Sequence, residues 1–167
     1  MRYHSYLNSA KKIIETNRGE VPFAVFLKKY FAANKKYGSK DRKQIASLCY
    51  NFYRLGKAIP ELPVEEKIIA ASFLCEEVAN DFLHFHKPEW NEIITTPVAD
   101  KLKILGFAVN DIFPWADELS DGIGFELFCK SFFIQPDLFV RIRPGNKDAV
   151  VKKLQDAALQ FSMLNED

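Results

Sequence analysis

The chain has 167 residues, of which 48% are hydrophobic and 14% aromatic, so it can build a core of its own and its composition argues against disorder. No apolar run approaches the roughly 20 residues of a membrane-spanning helix, and the first residues lack the apolar stretch of a signal peptide. We therefore expect a cytoplasmic protein. Its three cysteines are widely spaced in apolar runs and are expected to be reduced core residues: Cys49, Cys75 and Cys129.

The net charge of +1 conceals a strong separation of charge along the chain. Residues 1–57 contain 13 Lys or Arg against 3 Asp or Glu, a net charge of +10. Residues 58–130 contain 5 against 14, a net charge of −9, and residues 131–167 contain 5 of each. This separation suggests a basic surface for a polyanion and an acidic remainder.

Apolar residues at helical spacing predict three helices in the first third of the chain. The first follows Tyr3 to Ile14, and the second follows Phe23 to Phe31 after Pro22. For the third, Ser39 is the predicted N-cap, Asp41 favours the positive end of the helix dipole, and Gly56 is the predicted stop.

The acidic middle of the chain predicts further, shorter helices. The segment Val64–Val78 is apolar on every side at its centre, which is typical of the central helix of a bundle. Around Pro88 we expect a short helix and a loop. Three more helices are predicted: one from Thr96 to Gly106, one over Ile112–Leu119 and one over Phe125–Phe133.

The pattern changes after Pro136. Leu138, Val140 and Ile142 alternate with Phe139, Arg141 and Arg143, which predicts a strand, and a helix follows the turn Pro144-Gly145. A single strand cannot satisfy its own edges, so we expect the chain to stop soon after a second domain begins. The predicted fold is mainly all-α: a helical bundle over 1–130, then the incomplete start of an α/β RNA-binding subdomain over 131–167.

Familiar catalytic and metal-binding patterns are absent from the sequence. The seven glycines form no phosphate-binding loop or dinucleotide fingerprint, and there is no Cys-x-x-Cys pair. His84 and His86 have a spacing that puts them on different sides of a helix. We therefore predict no catalytic residue, no metal site and no cofactor in this chain.

The basic residues between Lys28 and Lys57 are the strongest functional pattern. On the third helix, Lys40, Lys43, Ser47, Asn51 and Arg54 step by three or four and should share one face. Such a face attracts phosphates through counterion release, and the helix N-terminus adds a further anion site. The alternatives are a solubilising lysine face and, for Arg42, a clamp between helices. The candidate nucleic-acid contacts are Lys35, Lys36, Lys40, Arg42, Lys43, Arg54 and Lys57.

Arg141 and Arg143 are candidates for a second RNA contact. They share the Phe139 face of the predicted strand, and an aromatic beside arginines can stack on bases. A surface that a neighbouring element covers is the favoured interpretation of these three residues.

Two stretches of the sequence resemble a known family. Gly38-Ser39-Lys40-Asp41-Arg42-Lys43, continued by Leu48-Cys49-Tyr50 and Tyr53-Arg54, resembles the Asp-Arg helix of NusB-like domains. This all-helical domain occurs alone as the antitermination factor NusB and at the N-terminus of the Sun/Fmu family of RNA cytosine-5 methyltransferases. Phe113-Pro114-Trp115 followed by Gln135-Pro136 is similar to that family's passage into its catalytic half, although Ile142-Arg143 departs from its Val-Asn.

The resemblance, which covers about Tyr3 to Phe161, implies the RNA-binding and substrate-positioning region of a ribosomal RNA cytosine-5 methyltransferase. The family's S-adenosylmethionine and its two catalytic cysteines belong to a domain outside this sequence, and none of the three cysteines here matches them. The chain alone is thus expected not to be an enzyme. One alternative is an adaptor for a protein partner in transcription antitermination or ribosome assembly, docking through the acidic stretch Glu61–Glu126. Another is an enzyme with an unrecognised site, which binding of S-adenosylmethionine by this chain would support.

Overall fold

The computed structural model describes residues 2–136 and 138–164. Within these residues it contains nine α-helices, two 3-10 turns and no β-ladder. The chain divides into two compact units, Met1–Gln135 and Pro136–Asp167. The first unit contains eight of the helices: α1 (Arg2–Thr16), α2 (Phe23–Ala33), α3 (Ser39–Arg54), α4 (Val64–Cys75), α5 (Asp81–His86), α6 (Pro88–Glu92), α7 (Val98–Leu105) and α8 (Phe125–Ser131).

Helix α4 lies at the centre of the first unit, as its apolar sequence predicts. Every residue from Ile68 to Leu74 is buried. Ile68, Ile69 and Phe73 belong to a core cluster shared with α1, α2, α3 and α5. Ala70, Ala71 and Leu74 belong to a second cluster with α7, α8 and the 3-10 turn before Phe113. A helix that is apolar all round is thus stabilised by burial on both sides.

The ends of the long helices follow from single residues. Gly56 and Gly106 adopt the left-handed conformation with φ of 56° and 76°, and they end α3 and α7 as predicted. The predicted N-cap of α3 is displaced by one residue. Gly38 is the N-cap and Ser39 is already helical, because the Asp41 carboxylate accepts a hydrogen bond from the Gly38 amide at 3.2 Å.

Two segments of the acidic middle differ from the predictions. The stretch around Pro88 contains two short helices rather than one helix and a loop, with Pro88 in the first turn of α6. The helix predicted over Ile112–Leu119 is wrong: two 3-10 turns, Val109–Ile112 and Ala116–Glu118, lie on either side of Pro114. Proline lacks an amide donor and disfavours helical backbone in the residue before it, so one continuous helix cannot form there.

The second unit contains one helix, α9 (Lys147–Asp156), at the position where a helix is predicted. The strand predicted over residues 138–143 is not confirmed: these residues lie outside regular secondary structure, and no described segment pairs with them. Alternation selects a strand only where a neighbour accepts its hydrogen bonds. Asp137, which leads into the predicted strand, lies outside the described residues.

None of the described helices is long and apolar enough to cross a membrane. All three cysteines are free, with Cys49 and Cys129 buried and Cys75 half-buried. Burial raises the pKa of the Cys49 thiol to about 12 and that of Cys75 to about 11, so both thiols are protonated at neutral pH. Cys49 and Cys129 lie in the core as predicted, whereas Cys75 is only partly buried and packs against the second core cluster.

Candidate nucleic-acid interface

Four lysines project into solvent where α3 begins. Lys35 and Lys36 lie in the turn after α2, and Lys40 and Lys43 lie in the first two turns of α3. All four are exposed, and none lies within ion-pair distance of a carboxylate in the described part of the chain. We call these four residues the lysine patch.

The turn that presents the lysine patch is anchored by Tyr37. Its ring packs edge-on against Phe31 at a centroid distance of 5.7 Å, and its hydroxyl donates to Ser9 Oγ at 3.3 Å. Further along, the buried stripe of α3 at Ile45 and Leu48 faces the core. Lys40 and Lys43 therefore emerge on the outer side of the helix.

Arg42 adopts the clamp role rather than joining the lysine patch. Its Nε donates to the Tyr37 carbonyl oxygen at 2.8 Å, and its guanidinium lies 5.9 Å from the centroid of the Phe31 ring. These contacts tie the first turn of α3 to the turn before it and to α2. Of the two interpretations open for Arg42, its contacts match the structural one.

Asp41 binds α3 to α1. Its carboxylate accepts hydrogen bonds from the Tyr6 hydroxyl and the Gly38 amide, and it forms an ion pair with Arg2 at 3.4 Å. The Tyr6 hydrogen bond is the main cause that holds the pKa of Asp41 below its usual range, with smaller contributions from Gly38 and Arg2. The further anion site expected at the N-terminus of α3 is thus occupied by the protein's own carboxylate.

The predicted basic face does not continue along the second half of α3. Asn51 is buried and donates to Glu76 Oε1 at 3.3 Å. Arg54 is half-buried; its guanidinium donates to Gln135 Oε1 and also contacts the Cys75 thiol. The periodicity correctly places these residues on one side of α3, but that side packs against the end of α4.

The remaining candidates lie apart from the lysine patch. Lys57 is exposed beyond the far end of α3, with its Nζ 5.7 Å from the centroid of the Trp115 ring. Arg141 and Arg143 are exposed in the second unit, without the strand that would give them a common face. The structure therefore groups four of the nine candidate residues.

A half-open cleft of about 420 Å³ adjoins the lysine patch. It lies between α3 and the link from α4 to α5, and a second cleft of similar volume shares Lys40, Gln44 and Asn80 with it. Buried Lys101 donates to the carbonyl oxygen of Glu76 at 2.8 Å and so fixes the end of α4 beside the cleft. Burial is the main cause that lowers the pKa of Lys101. The cleft is mixed in charge, because Glu76 lines it together with Lys40 and Lys43.

Two exposed aromatic residues on α3 were not singled out from the sequence. Tyr50 is 42% exposed and Tyr53 is 39% exposed. Tyr50 follows Lys43 by seven residues, two helical turns, so the same spacing that groups the lysines also indicates this tyrosine. The position of Tyr50 and Tyr53 outside the buried stripe of α3 is the feature of the sequence that indicates their exposure.

Comparisons with protein-family models, with curated proteins and with solved structures find no significant match to this chain.

Proposed function

We propose that the helical unit, residues 1–135, binds RNA by contacts between the lysine patch and the phosphate backbone. The observation that carries this proposal is the grouping of four exposed lysines, none with a carboxylate partner among the described residues. Lysines without a carboxylate partner can pair with RNA phosphates. Each such contact releases condensed counterions from the nucleic acid. Contacts of this kind position RNA and carry little sequence information.

Some lysines elsewhere in the described helical unit already have acidic or carbonyl partners, so they provide a comparison for the lysine patch. Lys11, Lys103 and Lys130 form ion pairs with carboxylates, and Lys101 is buried on a backbone carbonyl. In the lysine patch, four exposed lysines occur close together in the sequence without a carboxylate partner among the described residues; Lys28 and Lys29 on α2 likewise have none. A polyanion is the ligand that complements this arrangement.

The wider part of the proposal is that this unit holds ribosomal RNA for an S-adenosylmethionine-dependent cytosine-5 methyltransferase domain in the cytoplasm. Its support is the resemblance of the Asp-Arg helix and of the Pro-Trp and Gln-Pro segments to the Sun/Fmu family. The tie between Asp41 and α1 and the clamp formed by Arg42 give those two residues a structural role in a helical bundle. In this proposal, base specificity and S-adenosylmethionine binding belong to the catalytic domain.

Paired lysine substitutions test the RNA-binding role. Lys40→Ala with Lys43→Ala, and separately Lys35→Ala with Lys36→Ala, are expected to weaken RNA binding. Each pair should also reduce the slope of log K against log salt by up to about 2, since each lost phosphate contact removes about 1. Gel-shift titrations of an RNA oligonucleotide over a series of salt concentrations measure both quantities.

The matched control is Lys103→Ala with Lys130→Ala, which removes the same charge from lysines that already have acidic partners. This pair is expected to leave the salt slope unchanged. Equal effects of the patch and control pairs would show that net charge, and not the lysine patch, governs binding. Unchanged affinity in both patch variants would refute the proposal.

A second candidate function is a protein-binding adaptor, and exposed apolar residues around α8 favour it. Leu127 is 73% exposed, Ile134 61% and Ile123 48%, in a part of the unit that is acidic overall. Apolar side chains at this exposure are typical of a docking surface when they are contiguous. RNA binding by the isolated chain supports the first function, whereas RNA binding that needs a protein partner supports the adaptor.

A further inference from the structure

An aromatic cluster lies on the outer surface of the helical unit, where α2 begins and α3 ends. The Phe23 ring packs edge-to-face with Tyr50 at a centroid distance of 5.3 Å and tilted against Tyr53 at 4.7 Å. Asn17 Nδ2 donates to the Tyr53 hydroxyl at 2.8 Å and holds that ring in place. We call Phe23, Tyr50 and Tyr53 the aromatic platform.

The two tyrosines of the aromatic platform are held by neighbouring rings but remain exposed, whereas Phe23 is half-buried. An edge-to-face contact covers at most one face of one ring of a pair. Tyr50 has no described ring partner besides Phe23, and 42% of it is exposed. Phe23 therefore orients the Tyr50 ring, and this contact leaves at least one face of the Tyr50 ring without a described aromatic neighbour.

On α3, Lys40 and Lys43 of the lysine patch and Tyr50 and Tyr53 of the aromatic platform are all exposed. Lys43 and Tyr50 are seven residues apart, so they are aligned along the helix at a separation of about 10 Å. Asp41 is the one acidic residue in α3, and its carboxylate is engaged by Tyr6 and Gly38. An RNA strand that runs along α3 from its N-terminal end therefore meets Lys40 and Lys43 first and the exposed tyrosines Tyr50 and Tyr53 next.

We propose that the aromatic platform stacks unpaired bases, so that the helical unit prefers single-stranded RNA over duplex. This inference rests on the proposed RNA-binding function and adds to it the class of RNA. Single strands offer base faces to aromatic side chains, whereas duplex bases are already stacked on each other. The lysine patch supplies attraction to either form, and the aromatic platform supplies the preference.

The test compares single-stranded and duplex RNA of the same sequence, bound to the full chain in which Tyr50 and Tyr53 are both replaced by Ala. Affinity for the single strand is expected to fall about tenfold or more, since a stacked base contributes a factor of that order or larger. Affinity for the duplex is expected to stay the same. The control is Tyr50→Phe with Tyr53→Phe, which retains both rings and should retain the preference.

The two proposals fail in different ways. In the Ala variant, an equal loss of affinity for the single strand and the duplex, or no loss for either, overturns the stacking role of the aromatic platform. The lysine variants still decide the RNA-binding function. Loss of preference in the Phe variant also overturns it, because the hydroxyls and not the rings would then be responsible. A wild-type chain that binds only with a protein partner overturns both proposals.

A measurement without substitutions covers the case in which the Ala variant fails to fold. Single-stranded RNA carrying bromouracil is bound to the wild-type chain and cross-linked by ultraviolet light, and the modified peptide is mapped. Cross-links at Tyr50 or Tyr53 are the expected result. Cross-links confined to other positions would overturn the platform.

Discussion

At the scale of single residues, Gly56 shows how closely the chain segments approach each other. Its φ of 56° lies in the left-handed region, and a Cβ built there would lie 2.1 Å from the Ile112 carbonyl oxygen. The same oxygen accepts a hydrogen bond from the Lys57 amide at 2.9 Å. The end of α3 is thus joined to the 3-10 turn by backbone atoms that leave no space for a side chain.

Gly56→Ala is expected to destabilise the fold by at least about 2 kcal/mol, because left-handed strain adds to the contact with Ile112. Gly106→Ala is the matched control, since Gly106 also ends a helix with positive φ but has no atom within 4 Å of a built Cβ. That control should show the backbone cost alone, about 1 kcal/mol. Urea unfolding of both variants measures the difference in their free energies of unfolding. Equal losses of stability would show that the contact with Ile112 adds no cost.

At the scale of elements, the start of α3 depends on a carboxylate that α1 holds. Asp41 receives hydrogen bonds from Tyr6 on α1 and from the Gly38 amide at the helix N-cap. The same residue therefore sets where α3 begins and how it joins α1. Because the lysine patch lies on this turn, the tie also positions Lys40 and Lys43.

The tie predicts a pH dependence with a definite sign. The pKa of Asp41 is lower in the folded chain than in an unfolded one, where it is about 3.9. Its contribution to stability is therefore complete above pH 4 to 5 and is lost as the pH falls through the folded pKa. Asp41→Asn should be less stable than the wild type at pH 7, and the difference in stability between the two proteins should become smaller in acid.

Thermal unfolding of the two proteins between pH 7 and pH 2.5 measures this gap. Glu65 also has a lowered pKa, mainly through its hydrogen bond with Lys11, so both proteins lose some stability in acid. Only the difference between them reports on Asp41. A gap that does not change with pH would mean that the charge of Asp41 does not contribute.

At the scale of the molecule, the helical unit has two core clusters on opposite sides of α4. All their buried residues lie between Tyr6 and Phe133, within the first compact unit. The second cluster uses residues distant in sequence, among them Leu55, Ile112 and Phe133. The unit needs its whole length to bury both sides of its central helix.

A fragment of residues 1–135 is expected to unfold in a single cooperative transition and to retain RNA binding, because it contains both clusters. A fragment of residues 1–111 loses Ile112, Cys129 and Phe133, which are buried in the second cluster. It should lose cooperativity or stability. Circular dichroism during heating compares the two, and a non-cooperative 1–135 fragment would show that the helical unit is not self-sufficient.

The sequence by itself determined the helical class and most helix positions. The stripes from Tyr3 to Ile14 and from Ile45 to Leu55 mark the sides of α1 and α3 that meet the core, and the apolar centre of α4 marks the helix with no free side. These predictions succeed because helical hydrogen bonds are local and burial repeats with the helical period. The exposure of Lys40 and Lys43 on α3 follows from the same periodicity, whereas Lys35 and Lys36 lie in the polar link between helices.

Only the tertiary structure decided which polar residues remain free. Periodicity placed Asn51 and Arg54 beside the lysines, yet Glu76 and Gln135 take up their side chains, and Lys101 is buried on a carbonyl 25 residues away. The strand expected after Pro136 also depends on a partner that no described segment provides. Such contacts join residues far apart in sequence, and no local pattern specifies them, because they depend on how whole elements pack.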